Sequence, residues 1–161
     1  MKLLVISDTH RDISKACKIL NDIGDMLCGV IHCGDLYDDF QLLKARYKNL
    51  KFYGVKGNCD YGCQGENEEV ITVGGKRIFI THGHNYGVNF STDRIYYRAM
   101  ELGVNACLYG HTHIPLCENC NGIVILNPGS LTLPRGNSKA SYGILTIEDA
   151  VYGSIVEYRG V

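Results

Sequence analysis

The stretch Lys2-Leu3-Leu4-Val5-Ile6-Ser7-Asp8-Thr9-His10 decides how the chain is read. Four consecutive apolar residues suit a strand covered on both faces. Asp8 and His10 follow at its carboxyl end, where open α/β sheets place their sites. Working outward, Asp12 to Leu27 carries Ile13, Ala16, Cys17, Ile19, Leu20 and Ile23 at helical spacing. Gly29 to Cys33 reads as a second strand, Phe40 to Tyr47 as a second helix and Lys51 to Lys56 as a third strand. This order predicts parallel strands joined by right-handed crossovers.

The pattern then changes. Glu68 to Val73, Gly74-Gly75 and Arg77 to Thr81 spell an antiparallel hairpin with a glycine turn. Ser91 to Leu102 is a helix with Ser91 or Thr92 as N-cap and Gly103 as its stop. Asn105 to Tyr109 follows as a strand, then Leu116–Glu118, Ile123–Leu126, Tyr142–Ile147 and Gly153–Tyr158, with Asn121-Gly122 as a turn between two of them. The expected fold is α/β: a four-layer sandwich of two mixed β-sheets packed face to face, with flanking helices, in one domain over residues 1–161.

Composition narrows the function. The 161 residues suffice to bury about 70% of the extended-chain surface. A net charge of −1 and the lack of any Lys/Arg run argue against non-specific adhesion to nucleic acid or anionic membrane. No stretch reaches the ~20 apolar residues of a membrane span, and Asp8 arrives too early for a secretory leader, so a cytoplasmic protein is expected. The eight cysteines are then expected to stay free. Cys117-Glu118-Asn119-Cys120 has zinc-ribbon spacing without a second pair, so it reads as part of a hairpin.

Five clusters carry the chemistry: Asp8-Thr9-His10, Gly34-Asp35, Gly57-Asn58-Cys59-Asp60, His82-Gly83-His84 and Gly110-His111-Thr112-His113. Imidazole, carboxylate and amide donors suit a transition metal and argue against calcium. In extended backbone, residues i and i+2 share a side, so Asp8 with His10, and His111 with His113, are expected to reach one ion each. Asp8, His10, Asp35, Asn58, His82, His111 and His113 exceed what one ion takes. They suit two ions sharing a carboxylate, ~3.5–4 Å apart. Glycines 34, 57, 83 and 110 allow close backbone approach beside them.

In this order and spacing the clusters resemble the calcineurin-like metallophosphoesterase superfamily, and Asn127-Pro128-Gly129-Ser130 adds a likeness to its small single-domain phosphodiesterases. The resemblance runs from residue 3 to about residue 147. It implies that Asp8, His10, Asp35 and His113 hold one divalent ion and that Asp35, Asn58, His82 and His111 hold the other. Manganese is the expected metal, with Fe, Ni, Co, Zn or Mg as alternatives. It further implies that a metal-bridging hydroxide attacks a small phosphodiester. Asn58, Cys59 and His82 are the expected catalytic residues. Asp60, His84 and Ser130 are expected to support the ligands or touch substrate, with Asp60 receiving a hydrogen bond from His10.

Most superfamily members have histidine where this chain has Cys59. A protonated thiol brings no positive charge to a phosphoryl group, so diesters are expected over monoesters. His32 is expected to be structural, and Arg135 is the nearest downstream candidate to clamp a phosphate, a solvated loop arginine being the more common outcome. The competing readings are a non-catalytic interaction scaffold of the same fold, a nuclease and a phosphomonoesterase. A homo-oligomer is a further expectation, from sheet edges left open.

Overall fold

The computed structural model describes residues 1–160. It begins with β1 (Lys2–Ile6), α1 (Ser14–Ile23), β2 (Gly29–His32), α2 (Tyr37–Arg46) and β3 (Lys51–Gly54). The chain continues through β4 (Glu68–Val73), β5 (Lys76–Thr81), α3 (Asp93–Leu102) and β6 (Ala106–Leu108). It ends with β7 (Leu116–Cys120), β8 (Ile123–Asn127), β9 (Ser141–Ile147) and β10 (Val151–Glu157). Two five-stranded mixed sheets result, ordered β10-β9-β1-β2-β3 and β4-β5-β6-β8-β7. Within them β1, β2 and β3 run parallel, as do β5, β6 and β8.

Strand alternation sorts the side chains into layers. Leu3 and Val5 of β1 meet Ile78 and Ile80 of β5, Ala106 and Leu108 of β6, and Val124 and Leu126 of β8 in the core between the sheets. The alternate residues Leu4 and Ile6 face the other way, onto Ala16, Ile19 and Leu20 of α1 and Leu43 of α2. On the second sheet Phe79, Cys107 and Ile125 turn outward onto Ile95 and Ala99 of α3. The four layers are therefore helices, sheet, sheet, helix. A strand covered on both faces has no polar face, which is why β1 reads as an unbroken apolar run.

Boundaries differ from the sequence reading mainly at helix ends. α1 stops at Ile23 and a single 3₁₀ turn, Gly24–Met26, replaces its expected last turn. α2 starts three residues early, at Tyr37, because a remote side chain satisfies its first N–H: Asp60 Oδ1 accepts from Tyr37 N at 2.8 Å. At α3 the Ser91 hydroxyl accepts from Asp93 N at 3.0 Å, and Gly103 closes the helix with φ 59°. No helix among the described residues is long and apolar enough to cross a membrane.

Candidate metal centre

β1, β2, β5 and β6 end beside one another, and the residues just after them converge. An oxygen of Asp8 and ring nitrogens of His10 and His113 lie within 4.8 Å of one another, and so do donor atoms of Asp8, Asp35 and His82. His113 Nε2 is 3.2 Å from Asp8 Oδ1 and 3.3 Å from His10 Nε2. His82 Nε2 is 3.5 Å from Asp35 Oδ2 and 3.1 Å from Asn58 Oδ1. The same Asn58 oxygen lies 2.9 Å from His111 Nδ1. All seven candidate ligands thus meet in one cluster with two halves, one around Asp8, His10 and His113, the other around Asn58, His82 and His111.

The route to convergence differs from the expected strand alternation. β1 and β6 end at Ile6 and Leu108, and the ligands stand beyond them on bent backbone. Asp8 (φ 54°), His10 (φ 45°), Asp35 (φ 46°), His111 (φ 68°) and His113 (φ 60°) are all left-handed. Such dihedrals cost non-glycine residues roughly 1–3 kcal/mol each and gather at functional sites. One consequence is that His111 and His113 point to different halves, so they do not share one ion's neighbourhood.

Close backbone approach is visible at two glycines. A Cβ on Gly57 would fall on Asp35 Oδ1, and one on Gly110 would fall on Ser7 Oγ and 2.7 Å from Asp8 Oδ2. Either substitution would push a candidate ligand out of place.

Outer hydrogen bonds set the imidazoles. His82 Nδ1–H donates to the Cys33 carbonyl at 2.7 Å and His113 Nδ1–H to the Leu133 carbonyl at 2.6 Å, which leaves both Nε2 atoms for the centre. Burial disfavours protonated His82, yet the Asp35 hydrogen bond and the charges of Asp8 and Asp35 outweigh it and raise its pKa. For Asp35 burial acts upward, and His82 with the Cys59 hydrogen bonds overcomes it, holding the carboxyl well below the usual range. His111 is lowered, by burial first and by neighbouring His82 second.

The residues expected to support the ligands divide. Asp60 receives backbone N–H groups from Gly57 (2.6 Å), Tyr37 (2.8 Å) and Asp35 (3.3 Å), which ties the Asn58 loop to the Asp35 loop. These main-chain donors take the place of the expected His10 bond. Ser130 is fully buried and donates to the Asp8 carbonyl at 2.8 Å, so it fixes main chain and does not face substrate. His84 packs against His82 at a ring separation of 5.4 Å, but its buried Nδ1 makes no hydrogen bond. Cys59 is exposed, and its N–H donates to Asp35 Oδ1 at 3.0 Å. Arg135 is exposed in a groove of about 450 Å³ shared with Asn89, Phe90 and Thr112, beside His111.

Supporting roles for Thr9, Asp39 and Asn89 escaped the sequence reading, whereas His32 takes the structural place expected of it. Thr9 donates its hydroxyl proton to Asp39 Oδ2 at 2.6 Å, and that oxygen also accepts from Arg11 N at 2.8 Å. His32 lies behind them, with Nδ1 accepting from Gly34 N and Nε2 3.1 Å from the Thr9 hydroxyl. Asn89 Nδ2 reaches His111 Nε2 at 3.0 Å. Thr9 and His32 stood in the quoted clusters or beside them. Asp39 and Asn89 carry no local signal.

His32 gives a prediction. Burial lowers its pKa to about 4, from an ordinary 6.5. A base whose pKa falls on folding contributes its full stability above the unfolded value and loses it as pH falls toward the folded one. Between pH 7 and 5 the metal-free protein should lose about 2 kcal/mol through this residue. Urea unfolding at the two pH values checks it: His32→Gln should show a smaller pH dependence by that amount, and an unchanged dependence would refute the assignment.

Fold and site together define a candidate metal centre on an α/β sandwich, and comparison with known proteins gives the family. The calcineurin-like phosphoesterase superfamily domain matches residues 1–150, and the chain belongs to that superfamily. It is 38% identical over 153 residues to the probable metallophosphoesterase YsnB of Bacillus subtilis, covering 92% of this chain and 86% of that one. Phosphodiesterase MJ0936 of Methanocaldococcus jannaschii is 31% identical over 174 residues, covering 97% of this chain and 99% of that one. Among solved structures, a conserved Streptococcus pneumoniae protein described as a predicted phosphoesterase superposes with a TM-score of 0.83 at 28% identity, covering 97% and 88%. Vps29 of Entamoeba histolytica in complex with zinc gives 0.72 at 25%, covering 97% and 98%.

The donor set fits a cation by a test internal to the structure. Among the described residues, the buried side-chain nitrogen and oxygen atoms without a hydrogen-bond partner are Asp8 Oδ1 and His84 Nδ1, both in this cluster. A buried, unpaired carboxylate oxygen is costly unless a cation meets it.

Proposed function

We propose that this chain is a phosphodiesterase that hydrolyses a small phosphodiester with two divalent ions, manganese being the expected metal. The observation that carries it is the orphaned Asp8 Oδ1 within a cluster of four imidazoles, two carboxylates and one amide. Asp8, His10, His113 and Asp35 would hold one ion. Asp35, Asn58, His82 and His111 would hold the other. When bound, the ions supply an activated water at neutral pH and screen the charge growing on the phosphoryl oxygens. Two divalent cations, two carboxylates and one hydroxide leave a net charge of about +1, which favours an anionic ester.

The chain's own residues do the positioning. Asp60 holds the Gly57–Asn58 turn against Asp35, which keeps the Asn58 oxygen between His82 and His111. The Cys33 and Leu133 carbonyls fix the tautomers of His82 and His113. Cys59 sits beside Asp35 at the mouth, its pKa pushed up to about 11 by partial desolvation of the thiol and by that carboxylate. Its thiol therefore stays protonated at neutral pH and adds no cation there. A monoanionic diester needs less countercharge than a dianionic monoester, so the diester is the better substrate. The net charge of −1 supports a small ester over long nucleic acid. Eight free thiols support a reducing, cytoplasmic setting.

The test is a paired assay with a generic diester and its monoester under Mn²⁺, Co²⁺, Ni²⁺, Zn²⁺ and Mg²⁺. Mn²⁺-dependent diester turnover is expected. No turnover with any of these ions would favour an interaction scaffold, against which the intact histidines 10, 82, 111 and 113 argue. Cys59→His should raise monoester turnover relative to diester by about tenfold or more, as a positioned acid does. An unchanged ratio would remove Cys59 from substrate selection.

A further inference from the structure

The mouth of the centre contains a second kind of donor. Cys59 Sγ, a His10 ring nitrogen and an Asp35 carboxylate oxygen lie within 4.8 Å of one another. Thiolate–metal bonds of about 2.3 Å and imidazole or carboxylate bonds of about 2.0–2.2 Å place two ligands of one ion at most about 4.5 Å apart. The triad is thus a small side-chain adjustment from a coordination sphere. The Cys59 backbone is anchored, because its N–H donates to Asp35 Oδ1 at 3.0 Å. The residue is also exposed, so an arriving cation can reach it. Among the described residues no other cysteine joins a metal-sized cluster. The second pointer to a cation is Asp8 Oδ1, fully buried and unpartnered, which lies 3.2 Å from His113 Nε2; that nitrogen is in turn 3.3 Å from His10 Nε2.

We propose that Cys59 is an additional metal ligand, selective for thiophilic divalent cations such as Zn²⁺, Cd²⁺ and Co²⁺, on the half of the centre formed by Asp8, His10 and His113. This rests on the reading of the cluster as a two-ion site. Mn²⁺ and Mg²⁺ prefer oxygen donors and leave the thiol free, whereas softer ions recruit sulfur. On ligation a sulfur–metal bond forms, the thiol proton passes to solvent, and no oxidation state changes. The thiolate brings the net charge of the ligand shell from about +1 to about zero, so the protein loaded with a soft ion holds an anionic ester less well. One residue thereby couples the metal occupying the centre to its grip on substrate.

The experiment loads wild type and Cys59→Ser with Co²⁺, with bound metal counted by elemental analysis. The wild type should show a near-ultraviolet thiolate-to-cobalt charge-transfer band that Cys59→Ser lacks. Titrations with Cd²⁺ and Mn²⁺ give a second readout independent of turnover. Cd²⁺ affinity should fall by about tenfold or more in Cys59→Ser, at least what losing an outer-sphere partner costs a metal site, while Mn²⁺ affinity holds. No band in cobalt-loaded wild type, a band retained in Cys59→Ser, or equal losses for both metals would overturn the proposal. If cobalt-loaded wild type hydrolyses the diester without the band, the thiolate ligand fails and the phosphodiesterase reading stands. If the protein binds no cobalt and hydrolyses nothing, both fail.

Discussion

Asp35→Asn should lower diester turnover by about 10³-fold or more and reduce bound manganese from two ions per chain to one or none. Asp35 is 2% exposed and belongs to both halves of the centre: it groups with Asp8 and His82, and separately with His10 and Cys59. Its two oxygens are already assigned different neighbours, Oδ2 to His82 at 3.5 Å and Oδ1 to the Cys59 N–H at 3.0 Å. An amide keeps the volume and one oxygen. It loses the negative charge, and if its NH₂ takes the place of Oδ1 it faces the Cys59 N–H, a donor that cannot accept. A ligand shared by two ions cannot lose one oxygen without loosening one of them. Turnover and metal content measured on the same preparations separate a ligand defect from a folding defect. Near-normal turnover with two bound ions would contradict the shared-carboxylate assignment.

The layers were legible because burial writes a period into the sequence. The unbroken run Leu3-Leu4-Val5-Ile6 stands where β1 is covered by α1 and α2 on one side and by the second sheet on the other. The spacing of Ile13, Ala16, Cys17, Ile19 and Leu20 likewise marks the face that α1 turns to β1. Helix ends were less legible, since their partners are remote. Nothing near Tyr37 announces that Asp60 will take its N–H, so α2 reads as starting later than it does.

The site was legible by type and not by path. Donor residues stand out in sequence because histidine and aspartate after strands are few. The left-handed dihedrals that aim them do not, since Asp8, His10 and His113 have no glycine to flag their φ of 54°, 45° and 60°. Strand alternation therefore grouped His111 with His113, and the bent backbone divides them. Residues that act through others were the least visible. Asp39 lies 30 positions from the Thr9 hydroxyl it receives, and Asn89 22 positions from His111. Asp39 sits in the first turn of α2, where a carboxylate reads as a helix-end charge.

Asp8→Asn should invert the order of stability between the metal-free and metal-loaded protein. In the metal-free chain Asp8 is 0% exposed; Oδ2 accepts from His111 N at 3.0 Å while Oδ1 has no hydrogen-bond partner. The nearest groups to Oδ1 are the imidazole nitrogens His113 Nε2 at 3.2 Å and His82 Nε2 at 3.9 Å, themselves candidate ligands, so no hydrogen bond offsets its burial. At pH 8 a neutral amide should be cheaper to bury by about 1–3 kcal/mol. For a chain of this size that raises Tm by roughly 2–4 °C per kcal/mol. Excess manganese reverses the comparison. A ligand at a hundred times its Kd adds about 2.7 kcal/mol to the wild type, and the variant, short of an anionic donor, gains far less. Thermal melts of both proteins at pH 8, with and without Mn²⁺, should therefore cross. If Asp8→Asn were instead less stable without metal, the buried carboxylate would be a structural element of the β1 end, and the orphaned oxygen would cease to argue for a cation.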